Sequence, residues 1–475
     1  MLNGYSADGV CQKLRETFDK CGDFNLRPIL CAGKNVYLAN IGNFSGRTYI
    51  TESVVKPLVA QSTPPENEDA FAGILCSSEA EKLSSFDSLV EKVLAGSAVV
   101  FTDIPDGVSA YAASARNDPS RGVGEPQNEV VVRGPREGFI EKAEDNVALL
   151  RKRLRTPNMK VLNTKVGKYS ETTVKVVYLE NVADAALVDD ILRRIAAIKL
   201  DSVMDSGYIE QFLTDGTPRL FTEVGNSEKP DKVAAKLAEG RVAVICDGSP
   251  VVLTVPYLFI ESLQSAEDYL KTPYYATFVR LIRFAAMLLS LYLPAFYIAV
   301  MEHHKNAVPP GLYAAMTGAR RDIPFSLFGE LVVILIIFEF IREVGVRMPG
   351  AVGDAVSIVG GLILGDAAIS AGISSAPVIM VAALTAICTF ILPPYMNTTV
   401  LVRLANLVAA RLFGVVGIAF AFTALVVHLC GKTSFGVPYL MPLSPLSLAG
   451  LNDTLLMRPK KALGNAVREL EDSDA

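Results

Sequence analysis

The pattern of apolar and polar positions changes near Lys271. Before this residue, short apolar runs alternate with charged turns, and after it long apolar runs follow one another. The first long run can cross a hydrocarbon core of about 30 Å as a helix. The pattern therefore predicts an α/β cytoplasmic domain fused to an α-helical polytopic membrane domain. The long apolar runs are 278–300, 327–341, 355–371, 377–393 and 412–429.

The soluble part contains two sequence echoes. The segment VYLAN at 36–40 is repeated as VYLEN at 177–181. A helix end, a glycine, an apolar strand and an aspartate at 93–103 recur in the same order at 237–247. Such runs bounded by polar turns are typical of β-strands. Because the two echoes lie at nearly the same offset, the sequence predicts two similar α/β subdomains.

Composition places the domain boundaries. A Gly/Pro-rich linker at 118–128 separates the two copies. The first twenty residues lack the apolar segment of a signal peptide, so we expect the N-terminal domain in the cytoplasm. The transmembrane domain is expected to have four to five helices, one of the apolar runs being re-entrant if only four cross. The predicted domains are N-terminal α/β subdomain 1 (1–125), α/β subdomain 2 (126–271), the transmembrane domain (272–435) and a Pro-rich segment with a polar C-terminal tail (436–475).

Two glutamates lie inside the second apolar run. A charged side chain at membrane depth is costly unless it faces a partner or water, which makes Glu330 and Glu339 functional candidates. They are 2.5 helical turns apart, about nine residues, and therefore face opposite ways. They cannot both line one pore, and we expect one of them to pair with an arginine such as Arg342 or Arg347.

The third apolar run carries carboxylates at two levels. Asp354 and Asp366 fall on one face of a helix, and small residues dominate between them. Gly361 and Gly365 have the GxxxG spacing that lets helix backbones approach closely. One interpretation is a cation path, and the other is that Asp354 caps the helix while Asp366 bonds a neighbouring helix. The candidate pore-lining residues are Asp354, Ile358, Val359, Leu362 and Asp366.

Charged residues surround a Gly-Pro turn that follows the linker. Arg133, Arg136 and Glu137 could couple the soluble domain to its neighbour in a ring of subunits. They could equally form a salt-bridged turn between the two subdomains. Neither interpretation gives them a catalytic role.

Composition and motifs argue against several function classes. The net charge of −5 and the absence of a basic stripe exclude nucleic acid as an expected partner. The three histidines and seven cysteines do not form a metal-binding pattern. Neither GxGxxG nor GxxxxGK[ST] occurs. We therefore expect no enzymatic activity, no cofactor and no metal.

Several longer motifs occur in a fixed order. They are VRGPREGF (132–139), DGSP (247–250), REVGVRMP (342–349), AVSIVG (355–360) and FGVPYL (435–440). Through these motifs the chain resembles the A subunits of the GerA family of spore germination receptors, from about residue 36 to residue 445. A paralogous stage V sporulation protein of the same family shares the fold, and the resemblance fits it as well.

The resemblance implies a multi-pass protein of the inner spore membrane in an endospore-forming bacterium. It implies two partners, a transporter-like B subunit that senses germinant and a lipoprotein C subunit. It also implies self-association into a ring that passes monovalent cations through the lipid bilayer when nutrient binds. In the family, the residue after Gly365 is often uncharged and polar, such as Gln, whereas here Asp366 would add a ring of negative charge.

The sequence therefore predicts the membrane subunit of a nutrient germinant receptor that forms a germinant-gated cation channel. A secondary transporter is one alternative, and a non-conducting scaffold for a sensor subunit is another. Transporters usually repeat their membrane halves, whereas the repeat in this chain lies in the soluble part.

Overall fold

The computed structural model divides into two compact units. The first unit comprises residues 1–217 and 223–257, and the second comprises 218–222 and 258–465. Residues 258–271, which the sequence assigned to subdomain 2, thus fall in the second unit. The structure describes residues 5–65, 67–75, 80–105, 107–115, 126, 129, 133–214, 220–347, 365–446, 453–454 and 456–457.

A five-stranded antiparallel sheet forms the first half of the first unit, in the order β1-β2-β4-β5-β3. Its strands are β1 (Phe24–Cys31), β2 (Lys34–Ile41), β3 (Glu81–Leu83), β4 (Ala98–Ile104) and β5 (Gly107–Ala113). Its helices are α1 (Ala7–Thr17), α2 (Arg47–Ile50, continued by a π-helical turn at Thr51–Val55 and by Lys56–Val59), α3 (Glu68–Ile74) and α4 (Phe86–Leu94).

The second half has a sheet with the same strand order, β6-β7-β9-β10-β8, and all its pairs are again antiparallel. Helices and strands follow one another in the same sequence as in the first half. They are α5 (Ala143–Arg153), β6 (Met159–Val166), β7 (Thr172–Leu179), α6 (Ala185–Ala196), α7 (Ser206–Leu213), β8 (Gly225–Ser227), α8 (Pro230–Ala238), β9 (Val242–Cys246) and β10 (Val252–Val255).

Side-chain alternation gives the first sheet a core on each face. Val99 and Phe101 of β4 are fully buried in one cluster with Leu14 of α1. Val100, between them, is buried in a second cluster with Leu58 of the α2 segment. Successive side chains of a strand point to opposite faces, so a continuous apolar run such as β4 serves both layers.

The aspartates of the second sequence echo accept equivalent hydrogen bonds in the two halves. Asp103 follows the apolar stretch of β4, and its Oδ1 accepts a 2.8 Å hydrogen bond from the backbone N–H of Ala7 at the start of α1. Asp247 follows β9, and its Oδ1 accepts a 3.0 Å bond from the N–H of Ala143 at the start of α5. Each aspartate thus satisfies a backbone donor at a helix N-terminus.

The second unit is helical. Two 3₁₀ turns, Phe259–Leu263 and Ala266–Leu270, precede the first long helix. Tyr297, Ile298 and Met301 from the end of that helix pack against Leu331 and Val378 of two later helices. The helices are α9 (Pro273–Ile298, continued by a π-helical turn at Ala299–His303), α10 (Pro310–Gly318), α11 (Leu327–Arg347), α12 (Ala376–Phe390) and α13 (Met396–Cys430), and residues 365–370 are also helical.

Helix α13 reverses direction at Gly414. The backbone of Gly414 is not helical there, with φ of 62° and ψ of −139°. On one side of it, Asn406 Nδ2 donates a 3.1 Å hydrogen bond to the carbonyl of Leu291 in α9. On the other side, the ring of Phe422 lies 5.9 Å from the ring of Tyr292. Residues 406 and 422 are therefore at the same level of α9, so α13 is a hairpin with a first arm (396–413) and a second arm (415–430).

Contacts at the two ends of α13 agree with this reversal. Thr398, early in the first arm, donates to the carbonyl of Leu220. Lys432, just after the second arm, donates a 2.8 Å hydrogen bond to the carbonyl of Phe221. Near the turn, a Cβ on Gly417 would lie 2.1 Å from the carbonyl oxygen of Ala409. Only a glycine fits where the arms approach so closely.

Within the described residues, two helical stretches are long and apolar enough to cross a membrane. By length and composition they are 273–303 and 393–430, the second of which includes both arms of the α13 hairpin, and Ala376–Phe390 is a shorter apolar helix. The sequence pattern placed the last apolar run at 412–429 only. The first arm was missed because Arg403, Asn406 and Arg411 interrupt its apolar residues.

Candidate functional site in the helical unit

Glu330 is fully buried and links α11 to the start of α12. It lies in the first turn of α11, where its Oε1 accepts hydrogen bonds from Ser374 Oγ at 3.1 Å and from Ser375 N and Oγ at 2.7 Å each. Its Oε2 accepts a 2.8 Å bond from Arg320 Nε. Ser375 precedes α12, so the carboxylate also sits at the positive end of that helix dipole. These partners indicate a structural role for Glu330.

Glu339 lies between two arginines. Its Oε1 accepts a 2.7 Å hydrogen bond from Arg403 Nη2 of the first arm of α13. Its Oε2 is 2.7 Å from Nη2 of Arg342, one of the two arginines that the sequence suggested as partners. The side chain of the other, Arg347, lies outside the described residues. Arg403 was missed, since nothing in its local sequence indicates which acid it meets.

Asp366 is exposed on the surface of the single chain. It lies in the helical residues 365–370, next to Gly365. A Cβ on Gly365 would lie 3.8 Å from Ile379 Cγ2 of α12, which is ordinary packing distance. Gly365 thus packs against α12, whereas the next residue, Asp366, is exposed. The other candidate residues of this segment, Asp354, Ile358, Val359, Gly361 and Leu362, lie outside the described part of the chain.

The charged turn after the linker has one half-buried acid and two exposed arginines. Glu137 accepts 2.7 Å hydrogen bonds from Lys152 Nζ and Arg153 Nη2 at the end of α5. Partial burial alone would raise the pKa of Glu137, but the two cationic donors outweigh it and hold that pKa below its ordinary value. Arg133 and Arg136 are exposed. The contacts of Glu137 are those of a salt-bridged turn.

A buried ion pair that the sequence did not indicate joins α5, in the second half of the first unit, to the residue before β1 in the first half. Arg151 Nε and Nη2 donate to the carboxylate of Asp23 at 2.8 and 2.9 Å. The guanidinium also donates to the carbonyls of Thr156 and Met159, each at 2.8 Å. Arg151 is 1% exposed. The sequence does not indicate this burial, because Arg151 belongs to a basic run at the end of α5 and such runs are usually exposed to solvent.

A second buried network lies at the start of α9. Asp268, in the turn before the helix, is fully buried between two arginines of the helix. It accepts bonds of 2.6 and 3.0 Å from Arg283 Nη1 and Nη2, and a 3.3 Å bond from Arg280 Nε. The sequence analysis had not assigned any partner to these arginines.

The C-terminal region completes this network. Arg280 Nη1 donates to Asp453 Oδ1 at 3.0 Å, to the Asp453 carbonyl at 2.8 Å and to the Thr454 carbonyl at 2.7 Å. Tyr269 OH donates a 2.6 Å bond to Asp453 Oδ2, and Gln264 Nε2 donates a 2.5 Å bond to the Asp453 carbonyl. Asp453 and Thr454 are thus docked on the start of α9.

The opposite end of α9 meets the α13 reversal. Glu302 pairs with Arg411, and His303 Nε2 donates a 3.1 Å hydrogen bond to the carbonyl of Arg411. A Cβ on Gly414 would lie 3.0 Å from His303 Cβ. These contacts hold the turn of the hairpin against α9. Among the described residues, no group of three or more metal-ligating side chains is present.

Comparison with known proteins identifies a family that matches most of this chain. The family described as "Bacillus/Clostridium GerA spore germination protein" matches residues 12–466. Spore germination protein KA of Bacillus subtilis (strain 168) is 37% identical over 418 residues, covering 86% of this chain and 76% of that protein. Spore germination protein GerLA of Bacillus cereus is 31% identical over 476 residues, covering 98% of this chain and 96% of that protein.

A match was also found among solved structures. It is the N-terminal domain of the A subunit of the Bacillus megaterium spore germinant receptor GerK3, with a TM-score of 0.41 and 21% identity, covering 54% of this chain and 96% of that domain. The family match and the two relatives show that the chain belongs to the GerA family of spore germination proteins. The resemblance stated from the motifs is thereby confirmed.

Proposed function

We propose that the chain is the A subunit of a nutrient germinant receptor and forms, as a ring of copies, a cation channel in the inner membrane of the spore. Its partners are a transporter-like B subunit that senses the germinant and a lipoprotein C subunit. The cations are monovalent, and the α/β unit lies in the cytoplasm. The observation that carries the channel proposal is the exposed position of Asp366 inside an apolar stretch.

The cost of burying charge in lipid supports this proposal. An aspartate at the centre of a membrane helix costs about 2.5–3.5 kcal/mol when it faces hydrocarbon, so such residues normally face protein or water. Glu330 and Glu339 meet this requirement inside one chain through Arg320 and Arg403. Asp366 is exposed on one chain, so a wet conduit between copies is the environment that suits it.

The membrane crossings are supported by the contact between the two ends of the helical unit. Arg280 near the start of α9 and Asp453 near the C-terminus are in direct contact. Both therefore lie on the same face of the bilayer, which requires an even number of crossings between them. The hairpin of α13 contributes two of these, one for each arm. The contact therefore supports an even number of crossings, with the C-terminus in the cytoplasm, over five crossings with the C-terminus outside.

The duplicated sheets support a role in assembly. Two halves with one strand order suggest two subdomains of common ancestry, and the buried pair of Arg151 and Asp23 makes them a single body. A rigid body with two related but different faces suits head-to-tail contacts, which close into rings. We assign the exposed Arg133 and Arg136 to such contacts between subunits.

The proposal is tested by ion flux in liposomes that contain the full chain together with the B and C subunits. We expect K⁺ efflux that needs no coupled substrate, and we expect Asp366→Asn to lower it and reduce cation preference. Asp322→Asn is the matched control, because Asp322 is exposed but lies outside the apolar runs. Unchanged flux and selectivity in Asp366→Asn would contradict the pore position. Flux that requires a co-substrate would indicate a transporter, and no flux at all a scaffold.

A further inference from the structure

The network at the start of α9 contains as many acids as bases, but one acid comes from far along the chain. Arg280 and Arg283 belong to α9, and Asp268 belongs to the turn that precedes it. The fourth member, Asp453, is contributed by the C-terminal region. Without Asp453, this buried group would hold two positive charges and one negative charge.

We propose that the C-terminal segment is a detachable strap that holds the start of α9, and that its release regulates the channel. The C-terminal strap is defined as Asp453, Thr454, Leu456 and Met457. Its regulatory effect rests on the proposed function, but its docking and release can be measured without any channel activity.

The contacts of the strap are mainly polar and lie along the first turns of α9. Asp453 and Thr454 are 8% and 3% exposed, and both are held by Arg280. One turn earlier, Thr277 Oγ1 accepts a 3.0 Å hydrogen bond from the backbone N–H of Met457. Met457 is 6% exposed, whereas its neighbour Leu456 is 61% exposed. Within the described residues the strap is thus held by directed hydrogen bonds and by one buried apolar side chain, so that loss of the central ion pair should release these residues together.

Arg280 makes this docking sensitive to charge. Its side chain is fully buried, and within the described residues its Nη2 has no hydrogen-bond partner. The docked strap therefore supplies carboxylate and carbonyl oxygens to a guanidinium that is already incompletely satisfied. When one partner of a buried ion pair is neutralised, the remaining charge is left uncompensated. Loss of the Asp453 charge should consequently shift the strap toward its released state.

Helix α9 connects the strap to the rest of the bundle. Its middle contacts both arms of α13, through Leu291 with Asn406 and through Tyr292 with Phe422. Its far end holds the α13 reversal through His303. A strap that fixes the start of α9 therefore restrains the helix against which both arms of α13 pack. The docked strap favours the arrangement of the bundle that binds it more tightly. Its release should shift the population toward other arrangements, by an amount set by the difference in strap affinity between them.

The test uses the full chain in liposomes, with a cysteine placed at Met457 or at Leu456. The protein is treated with a maleimide, and mass spectrometry of the peptide that contains the new cysteine gives its labelling rate. We expect Met457→Cys to label at least about tenfold more slowly than Leu456→Cys, because only the first position needs local opening. Adding Asp453→Asn should remove most of this protection, and adding Tyr269→Phe should remove a smaller part. The Leu456→Cys rate should not change.

A cysteine at Leu331, which is fully buried in the bundle, separates strap release from misfolding. It should stay protected in Asp453→Asn. Protection of Met457→Cys that survives Asp453→Asn would overturn the strap. In a second arm, K⁺ efflux without germinant should rise in Asp453→Asn. Release without any rise in efflux, in a preparation whose unmodified channel still responds to germinant, would overturn the regulatory role and leave the proposed function intact.

Discussion

Carboxylates work differently in the two units. In the first unit, Asp103 and Asp247 follow buried strands and accept hydrogen bonds from backbone N–H groups at helix starts. In the second unit, Glu330 is enclosed between helices and meets the guanidinium of Arg320. Water can take over the hydrogen bond of a capping carboxylate that is exposed to solvent. It cannot take over the bonds of a carboxylate that is enclosed among apolar helices. The same chemical group should therefore contribute about a kcal/mol in one place and several in the other.

The largest effect is expected from Glu330→Gln. The carboxylate accepts four hydrogen bonds and balances Arg320, and its side chain is fully buried. Removing one partner of a buried pair costs about 3–5 kcal/mol. We therefore expect a loss of stability in that range for the helical unit, measured by denaturant titration of the purified full chain in detergent.

The matched control for this change is Glu81→Gln. Glu81 pairs with Lys92 on the surface of the first unit, where its side chain is 60% exposed. Exposed pairs contribute about 0–1 kcal/mol. Equal losses in the two variants would contradict the proposed contrast between the units.

The contrast also explains which parts of the fold could be predicted from sequence. The strands around 36–40, 177–181, 98–103 and 242–247 were predictable, because apolar runs ending in a polar turn are a local signal. The two sheets also have the same strand order, which agrees with the two sequence echoes. The reversal at Gly414 was not predictable, since one glycine in a long apolar helix usually continues it. Only contacts such as that of Asn406 with α9 reveal the turn.

The candidate site was predictable to a smaller extent. The position of Glu330 and Glu339 inside an apolar run is read directly from the sequence, and the cost of an unpaired charge there predicts arginine partners. Which arginine each acid meets depends on residues far away in sequence, as with Arg403 and Glu339. The docking of Asp453 on Arg280 joins residues from opposite ends of the helical unit. No periodicity or local motif carries such information.

An intermediate effect is expected from Asp103→Ala and Asp247→Ala. Each change leaves a backbone donor of α1 or α5 without its side-chain acceptor, and loss of a helix cap typically costs about 0.5–2 kcal/mol. Because the two aspartates have equivalent places in the two halves, the losses should be similar. Hydrogen exchange of α1 and α5 in the full chain would measure each separately. A large loss in only one half would show that the repeated caps are not energetically equivalent.

The smallest effect is expected from the pH dependence of the first unit. Glu129 accepts hydrogen bonds from Ser227 Oγ at 2.5 Å, from Glu228 N at 3.0 Å and from Lys232 Nζ at 2.6 Å. Burial of Glu129 acts to raise its pKa, but the charge of Lys232 and these bonds outweigh burial, so the pKa lies below its ordinary value of 4.5.

A carboxylate with a lowered pKa in the folded state stabilises the fold at pH values above the unfolded pKa. This contribution is lost as the pH falls from about 4.5 through the folded pKa, because the unfolded chain takes up the proton first. Glu129→Gln should therefore lower stability at neutral pH and flatten its decline in acid, as followed by hydrogen exchange of α8 and β8. Glu91→Gln, at an exposed position in α4, is the matched control and should retain the parent slope. If the slope of Glu129→Gln equals that of the parent, the acid lability of this unit arises from other carboxylates, with the salt-bridged Glu137 as the next to replace.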